Sequence, residues 1–519
     1  MLFPVSLTRR QMKAALCCAA FLSVPSAVFA QRLPDLPSAT VPAQPKPAVV
    51  YKKVPPTKKQ LGLMMLGAIA KRDTKQVSKL LGQGVDANTR DPRGNPALLW
   101  AASRRDDAAI IDLLLGHHAD PNAHGAGGST ALREAVISGN DAAIKLLMEH
   151  GANVNVVDGS GFTPLAIAAH LSRVDTMRTL MDHGGKPDAG LPHGMTPLIE
   201  ASGRGDASVA TLLIERGANV NARAENGVTP LFAAVAGNGG RPLAQLLIDH
   251  GANASAKGIR GVSPLIAAIG RKGADTAGLL IDHGADVNVK DPDGRAPLLF
   301  AAFQGDATLT EQLLGHGANV NTKDPRGNTP LIIAAHQQKI ALCKLLLAHG
   351  ASVNLANQAK FTPLMTAVYA KDLPLAQLFI EHGANVNAHD KDDFTPLMIA
   401  ATVKNVGIVK LLLSKKADAT VRNKYGASAL DFARGVASIY PLVEAAVPAS
   451  MRNAMTMNPQ SAPQIDLTPT GPYIPGVSQP AAPQQNWGLI GPHPMQPNPM
   501  PKAAQPPIVT VPAAPGKGH

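Results

Sequence analysis

Histidine is the residue type whose spacing first points to chemistry in this 519-residue chain, because its imidazole titrates near neutral pH and binds metal ions. One histidine recurs about every 33 residues, at His117, His150, His183, His250, His283, His316, His349 and His382, and Arg216 interrupts the series. Metal ligands must lie about 2 Å from one ion, whereas neighbouring helices pack about 8–10 Å apart. If each histidine ends a separate helix, we expect the column to stabilise helix ends rather than to share a metal ion.

Four residues lie close enough in sequence to reach a single ion, namely His117, His118, Asp120 and His124. Their spacing matches no metal-binding motif, so we predict no metal ligands. Binding of a metal ion or a small metabolite through the three histidines is the weaker alternative. The sequence also contains no nucleophile paired with a base, no glycine-rich phosphate loop and no carboxylate pair outside the recurring residues. It therefore predicts no catalytic residue, no cofactor and no enzymatic activity.

One pattern repeats along most of the chain. Residues 283–302 read HGADVNVKDPDGRAPLLFAA, and residues 316–335 read HGANVNTKDPRGNTPLIIAA. The position of Thr in T-P-L falls at Leu63, Pro96, Thr130, Thr163, Thr196, Thr229, Ser263, Ala296, Thr329, Thr362, Thr395 and Ser428. Nine of the eleven spacings are 33 residues and two are 34. Self-similarity at such a period is the sequence signature of a repeat architecture.

Each repeat contains the local signals for two helices and an arm. Thr163 and Pro164 predict a helix start, since the hydroxyl can accept from free N–H groups and proline suits the first turn. Gly139 with Asn140 predicts a turn and the cap of a second helix. Gly151 predicts a left-handed helix end. A unit of this kind cannot bury its apolar face alone, so we predict an all-α repeat solenoid whose stacked units share one core.

The recurring strings G-A-x-V-N and G-x-T-P-L-x-x-A resemble the ankyrin repeat in period and signature. The resemblance covers residues 58–448 as about twelve units, of which the first and last look like end caps. It implies that the first helices and the arm tips line a concave face that binds partners. Lys360 and Asp393 replace the usual glycine of the arm turn, so we expect these two arms to have different tips.

Residues 1–30 have the layout of a secretory signal peptide. Arg9 and Arg10 precede an apolar run that is too short to span a membrane. The string SAVFA ends at Ala30, so we expect cleavage before Gln31. The paired arginines leave a twin-arginine route open beside ordinary secretion. We therefore expect an exported protein, either periplasmic or secreted.

Proline-rich segments flank the repeats at residues 31–57 and 449–519. Such compositions bury too little apolar surface to fold, so we predict that both segments are disordered. Of the net charge of +12, the leader contributes +3, residues 31–60 contribute +5 and residues 451–519 contribute +2. The repeat body keeps only +2, which argues against binding nucleic acid. The basic flanks favour weak contact with an anionic envelope polymer, and anchoring or spacing in the envelope through them is the alternative function.

Aromatic and cysteine residues are scarce. Aromatic residues make up 3% of the chain, so the core must be built from Leu, Ile, Val and Ala. Cleavage of the leader would leave Cys343 as the one cysteine, and one cysteine forms no internal disulfide. We predict that Cys343 is a small buried helix residue.

Positions that the repeat pattern leaves free are those at which a repeat protein can acquire specificity. Side chains vary from unit to unit at the exit of the first helix, seven and eight residues after the Thr position, and in the arms. We predict that an unknown protein partner binds in this region, which includes Arg104, Arg204, Arg260, Arg271, Phe303, Arg326 and Tyr369. Phe and Tyr among arginines are typical of protein-binding hot spots. The sequence therefore predicts an exported scaffold for protein–protein interaction.

Overall fold

The computed structural model describes residues 56–105, 107–189 and 191–452. The expected signal peptide, the 31–57 linker except its last two residues, and the tail beyond residue 452 lie outside these described residues. Predictions about those segments therefore stay predictions. Within the described ranges, no helix combines the length and the apolar character needed to cross a membrane.

In the described residues, twenty-four α-helices follow one another as twelve pairs, which confirms the predicted all-α fold of about twelve units. The first helices of the pairs are α1 Lys58–Ala70, α3 Ala97–Ala102, α5 Ala131–Ser138, α7 Pro164–His170, α9 Pro197–Arg204, α11 Pro230–Ala236, α13 Pro264–Gly270, α15 Pro297–Gln304, α17 Pro330–His336, α19 Pro363–Tyr369, α21 Pro396–Thr402 and α23 Ala429–Ala433. The second helices are α2 Thr74–Gly82, α4 Ala108–Gly116, α6 Asp141–Glu149, α8 Val174–Asp182, α10 Ala207–Glu215, α12 Gly240–Asp249, α14 Ala274–Asp282, α16 Ala307–Gly315, α18 Ile340–Ala348, α20 Leu373–Glu381, α22 Val406–Ser414 and α24 Tyr440–Ala446. Short 3₁₀ turns lie in three of the arms, at Ala126–Gly128, Pro192–Gly194 and Ile259–Gly261.

Most first helices begin at the predicted Thr position, because their N-terminal N–H groups find a side-chain acceptor there. The hydroxyl of Thr163 accepts from the N–H of Ala166 at 3.2 Å, and that of Thr329 accepts from the N–H of Ile332 at 3.3 Å. Proline at the first helical position has no N–H to leave unpaired. Ala296 occupies the equivalent position before α15, and this helix has no side-chain cap.

Several second helices begin at the predicted Asp or Asn caps. Asn140 accepts from the N–H of Ala143 at 3.0 Å, and Asp306 accepts from the N–H of Leu309 at 3.0 Å. The residue before the cap must adopt a left-handed backbone, and Gly139 does so with a φ of 69°. Glycine takes this conformation without steric cost. The turn between the two helices of a unit therefore follows from local sequence chemistry.

Small residues allow the first helices to pack side by side along the stack. Helix α15 packs against α17, and α17 packs against α19. Ala301, Ala334 and Ala367 on these three helices are fully buried. Leu313 and Leu346 on the second helices are buried as well. The buried side chains form one hydrophobic cluster that runs from the first unit to the last, as stacking of incomplete units requires.

A ladder of asparagine side chains joins the arms of adjacent units. The amide of Asn288 donates to the carbonyl of Gly317 at 3.0 Å, and its oxygen accepts from the N–H of Asn319 at 2.8 Å. The same pair of bonds to the next unit is made by Asn88, Asn122, Asn155, Asn221 and Asn354. The ladder positions each arm against its neighbour, and sequence reasoning did not predict it.

The expectation that Lys360 and Asp393 give their arms different tips is wrong. Lys360 has a φ of 56° and Asp393 a φ of 61°, in the same left-handed region as Gly327 at 79°. The side-chain oxygen of Asn357 accepts from the N–H of Phe361 at 3.0 Å and holds the turn closed around Lys360. Asp390 holds the arm of Asp393 in the same way. These two arms therefore keep the left-handed residue of the Gly327 arm, although lysine or aspartate replaces the glycine.

The first unit is atypical, as predicted. Helix α1 begins behind a capping box formed by Thr57 and Gln60, well before the Thr position of the other units. Its length of 13 residues exceeds that of the other described helices. Leu63 and Met64 on this helix are exposed, because no preceding unit packs against it among the described residues.

Candidate partner-binding surface

The variable ends of the first helices lie side by side along the stack. The side-chain amide of Gln337 donates to the carbonyl of Phe303 at 2.6 Å, and that of Gln304 donates to the carbonyl of Ile269 at 2.7 Å. Residues seven positions after the Thr position therefore form a row across successive units. In the eighth, ninth and tenth units these residues are Phe303, His336 and Tyr369, which we call the aromatic row.

The aromatic row presents large rings to solvent. The Phe303 side chain is 49% exposed and that of Tyr369 is 41% exposed, whereas Phe300 and Val368 on the same helices are buried. His336 between them is half-buried, and burial lowers its pKa from the usual 6.5. Its imidazole is therefore neutral at pH 7 and adds no charge to the row. Covering apolar area contributes about 25 cal/mol per Å², so these two rings are favourable contact points for a partner.

Three of the predicted arginines already have structural partners. Arg104 donates to the carbonyl of Ala70 at 2.7 Å, and Arg271 donates to the carbonyl of Ala236 at 2.8 Å. Arg204 likewise donates to the carbonyl that ends α7. In each case the carbonyl belongs to the last turn of the preceding first helix, where helical partners are lacking. These arginines join adjacent units, and their role in partner binding stays a prediction.

Arg260 and Arg326 lie at arm tips, and both side chains are exposed. Arg260 occupies the 3₁₀ turn Ile259–Gly261 with a φ of 53°. The N–H of Arg326 donates to the carboxylate of Asp324 at 2.8 Å, and its carbonyl accepts from the N–H of Gln358 at 2.9 Å. These bonds fix the backbone of the tip and leave the guanidinium to solvent. Arg326 lies in the arm that leads into α17, the helix that carries His336.

Sequence reasoning missed a more polar part of the surface in the N-terminal half of the stack. Trp100 is 36% exposed, and its indole N–H donates to the carboxylate of Asp91 at 3.0 Å. Further along, Nδ1 of His170 lies 2.5 Å from a carboxylate oxygen of Glu200. Trp100 and Glu200 stand four residues after the Thr position. Their offset could have predicted their place on the surface, since residues four and seven positions after the Thr position share one face of the first helix.

The histidine column lies at the ends of the second helices, as predicted. Nδ1 of His150 lies 2.9 Å from the carbonyl oxygen of Leu146, and Nδ1 of His316 lies 2.9 Å from that of Gln312. The imidazole N–H can thus donate to a carbonyl near the helix end. Among the described residues, including the stretch 117–124, no three or more His, Cys, Asp or Glu side chains come together as a metal ion would need.

Cys343 is buried in α18, which confirms the prediction. Burial, and to a smaller extent the negative charge of Asp372, raises the pKa of its thiol to about 12. The thiol therefore stays protonated and unreactive at neutral pH, because the thiolate is the reactive form.

Stacked helix pairs with a variable edge define a helical-repeat solenoid, an architecture that offers an extended surface for binding. A family model described as ankyrin repeats (3 copies) matches residues 64–158, 153–224, 221–291, 265–357, 298–390 and 364–435. The matches together run from residue 64 to residue 435, well over half of the chain, so the chain belongs to the ankyrin-repeat family. No curated protein matches the chain. Ankyrin repeats indicate a scaffold for protein–protein interaction, and proteins of this family are generally binding scaffolds rather than enzymes.

Proposed function

We propose that the chain is an interaction scaffold that binds a protein partner along the exits of its first helices, with the aromatic row as the centre of contact. The observation that carries the proposal is the exposure of Phe303 and Tyr369, at 49% and 41%, on helices whose other large apolar side chains are buried. Nothing in the packing of the unit requires a ring at either position, since Gly270 and Thr402 occupy it elsewhere. Aromatic residues and arginine dominate protein-binding hot spots.

Charge around the aromatic row supports a partner that carries acidic residues. Arg326 is exposed at an arm tip, and Lys371 and Lys404 are exposed in the turns that follow α19 and α21. Basic side chains at the rim of an interface steer an acidic partner and speed its association. The rings would supply the affinity, because truncation of buried aromatic anchors costs most at interfaces.

The proposal includes export. Support comes from the order of basic residues, an apolar run and small residues within residues 1–30. Cell fractionation of the chain with and without this segment tests the point. Retention of both forms in the cytoplasm would count against export without affecting the binding surface.

Affinity capture with the tagged full-length chain tests the binding proposal. The face variants are the double substitution Phe303→Ala, Tyr369→Ala and the charge reversal Arg326→Glu. Matched controls are Leu373→Ala and Lys344→Glu, which alter exposed residues on second helices. We expect a specific protein that is retained by the native chain and by both controls and is lost from both face variants. A protein retained equally by all five chains would show that binding occurs elsewhere and would overturn the proposal.

A further inference from the structure

The tail contains one segment with a regular three-residue spacing. Between residues 451 and 519, Asp466 is the one acidic residue, and Pro469, Pro472 and Pro475 follow it at intervals of three. A chain in the polyproline II conformation has three residues per turn and rises about 3.1 Å per residue. Every third residue then lies on one edge of the chain, about 9.3 Å from the next. The aspartate and the three prolines would share such an edge.

The aromatic row has a matching period. Phe303, His336 and Tyr369 occupy equivalent positions on three consecutive first helices that pack against one another. Helices in contact lie about 8–10 Å apart, so successive rings recur at about the distance of successive prolines. Grooves lined with aromatic rings bind polyproline II segments, because the prolines pack on the rings and the stiff chain loses little entropy.

We propose that residues 466–475 of the tail bind the aromatic row of their own chain. The tail leaves the twelfth unit, whereas the row extends from the tenth unit back to the eighth. The segment therefore runs towards the N-terminal end of the stack, and Pro469 packs on Tyr369. One three-residue step earlier, Asp466 falls at the eleventh unit, where Lys404 is exposed. Lys371 is exposed at the tenth unit as well, but pairing Asp466 with it would place Pro475 beyond the row, opposite Gly270. The register with Asp466 at Lys404 places all three prolines on the row.

The chain is long enough for this contact. Asp466 lies fourteen residue steps beyond Arg452, and an extended chain spans about 3.3–3.6 Å per step, or about 46–50 Å in all. The eleventh unit adjoins the unit from which the tail leaves, at a helix spacing of about 10 Å. A short tether also gives an effective concentration on the order of 1 mM, so even a weak contact is populated. The inference uses the surface of the proposed function, and the tail and a partner would compete for it.

Site-specific photo-cross-linking of the full chain tests the contact. A benzoylphenylalanine is placed at Tyr369, or as the control at Lys344, which is exposed on α18. Trypsin should release the tail as the peptide 453–502, which has no internal Lys or Arg. We expect position 369 to link to this peptide within residues 466–475 and position 344 to give little or no such product. Equal yields from the two positions, or no link from position 369, would overturn the proposal.

Substitutions in the tail separate a register-specific contact from chance proximity. Pro469, Pro472 and Pro475 are changed together to Gly, and the control changes Pro497, Pro499 and Pro501, which are two residues apart, to Gly. The first set should lower the cross-link yield to the level of position 344, and the second set should leave it unchanged. The same yield in both sets would contradict the proposal.

A charge swap tests the register directly. Lys404→Glu should reduce the cross-link from position 369, and adding Asp466→Lys should restore it. Failure of the second change to rescue the first would reject the register. A mixture of isotopically light and heavy chains identifies the donor of the tail, and links between chains in place of links within one chain would reject intrachain binding.

A peptide of residues 464–477 separates this inference from the proposed function. If the tail occupies the row, a peptide with a Kd of about 100 µM should bind the native chain about tenfold more weakly than the triple Pro→Gly chain, because a tethered competitor near 1 mM is present. Equal affinities would overturn the inference. These results involve no external partner, so they stand whether or not affinity capture finds one.

Discussion

The side-chain amide of Gln337 donates a 2.6 Å hydrogen bond to the carbonyl oxygen of Phe303 in the preceding unit. This bond ties the exit of α15 to α17 beneath a ring that remains 49% exposed. The backbone of the aromatic row is thus held by contacts between units. It is already ordered before a partner binds. A preorganised support lowers the entropy lost when a partner covers the surface.

The double variant Phe303→Ala, Tyr369→Ala should lose no more than about 2 kcal/mol of unfolding free energy in urea, because about half of each residue is already exposed in the fold. Phe361→Ala is the matched comparison, since that ring is 2% exposed. Truncating a buried phenylalanine costs about 3–5 kcal/mol. A comparable loss in the double variant would show that Phe303 and Tyr369 stabilise the fold and do not form a free binding surface.

Acid should destabilise the protein through His336. Burial lowers the pKa of this imidazole below its usual 6.5, so the unfolded chain binds the proton more readily than the folded chain. Above about pH 6.5 the imidazole is neutral in both the folded and the unfolded chain, so it does not affect the free energy of unfolding. Below that pH the free energy of unfolding falls until the pH reaches the lower native pKa. Urea unfolding between pH 7.5 and 5 measures this slope. His336→Gln should reduce it, and an unchanged slope would assign the acid sensitivity to other groups.

The asparagine ladder should contribute measurably to stability. Asn288→Ala removes both bonds to the eighth unit, those to Gly317 and Asn319. Each bond is worth about 0.5–1.5 kcal/mol net, so the loss should be on the order of 1–3 kcal/mol. Asn319→Ala is the control, because its side-chain oxygen accepts only the local N–H of Asn321. A larger loss for Asn319→Ala than for Asn288→Ala would contradict the inter-unit role of the ladder.

Features governed by local hydrogen bonding could be predicted from the sequence. A helix cap joins residues three apart, so it can be predicted from a short stretch of sequence. This holds for the first helices that begin at Thr163 and Thr329 and for the second helices capped by Asn140 and Asp306. The number of units followed from the regular spacing of the Thr position. Their stacking followed because each unit needs a neighbour to bury its apolar face. The exposure of Phe303 followed from its offset within the unit.

Features that depend on the next unit could not be predicted from one repeat. Asn288 bonds to residues about 30 positions away, so its role is invisible in the local sequence, and only the recurrence of asparagine at an exposed position hinted at it. Arg104 and Arg271 also reach carbonyls of a neighbouring unit. Lys360 was misjudged because bonds within the arm impose a left-handed backbone that glycine alone would favour.

The missing cap before α15 offers a substitution that should stabilise the protein. Ala296 has φ and ψ of −88° and 159°, nearly those of Thr329 at −88° and 163°, so a threonine there can place its hydroxyl as Thr329 does. In Ala296→Thr the new hydroxyl oxygen should accept from the N–H of Leu299. The free energy of unfolding should rise by about 0.5–2 kcal/mol. Thr329→Ala should lower it by a similar amount, since it recreates the uncapped start in the next unit.

Urea unfolding of the native chain, the two single variants and the double variant measures both effects. The changes should nearly cancel in the double variant, because the two caps lie in separate units and share no bond, and distant substitutions are additive within about 0.5 kcal/mol. No gain in Ala296→Thr, together with a loss in Thr329→Ala, would mean that the buried site before α15 cannot accommodate the extra atoms. The alanine before α15 would then be explained by the tight packing around Ala296, which is 2% exposed. The lack of a capping hydrogen bond would be a consequence of that packing.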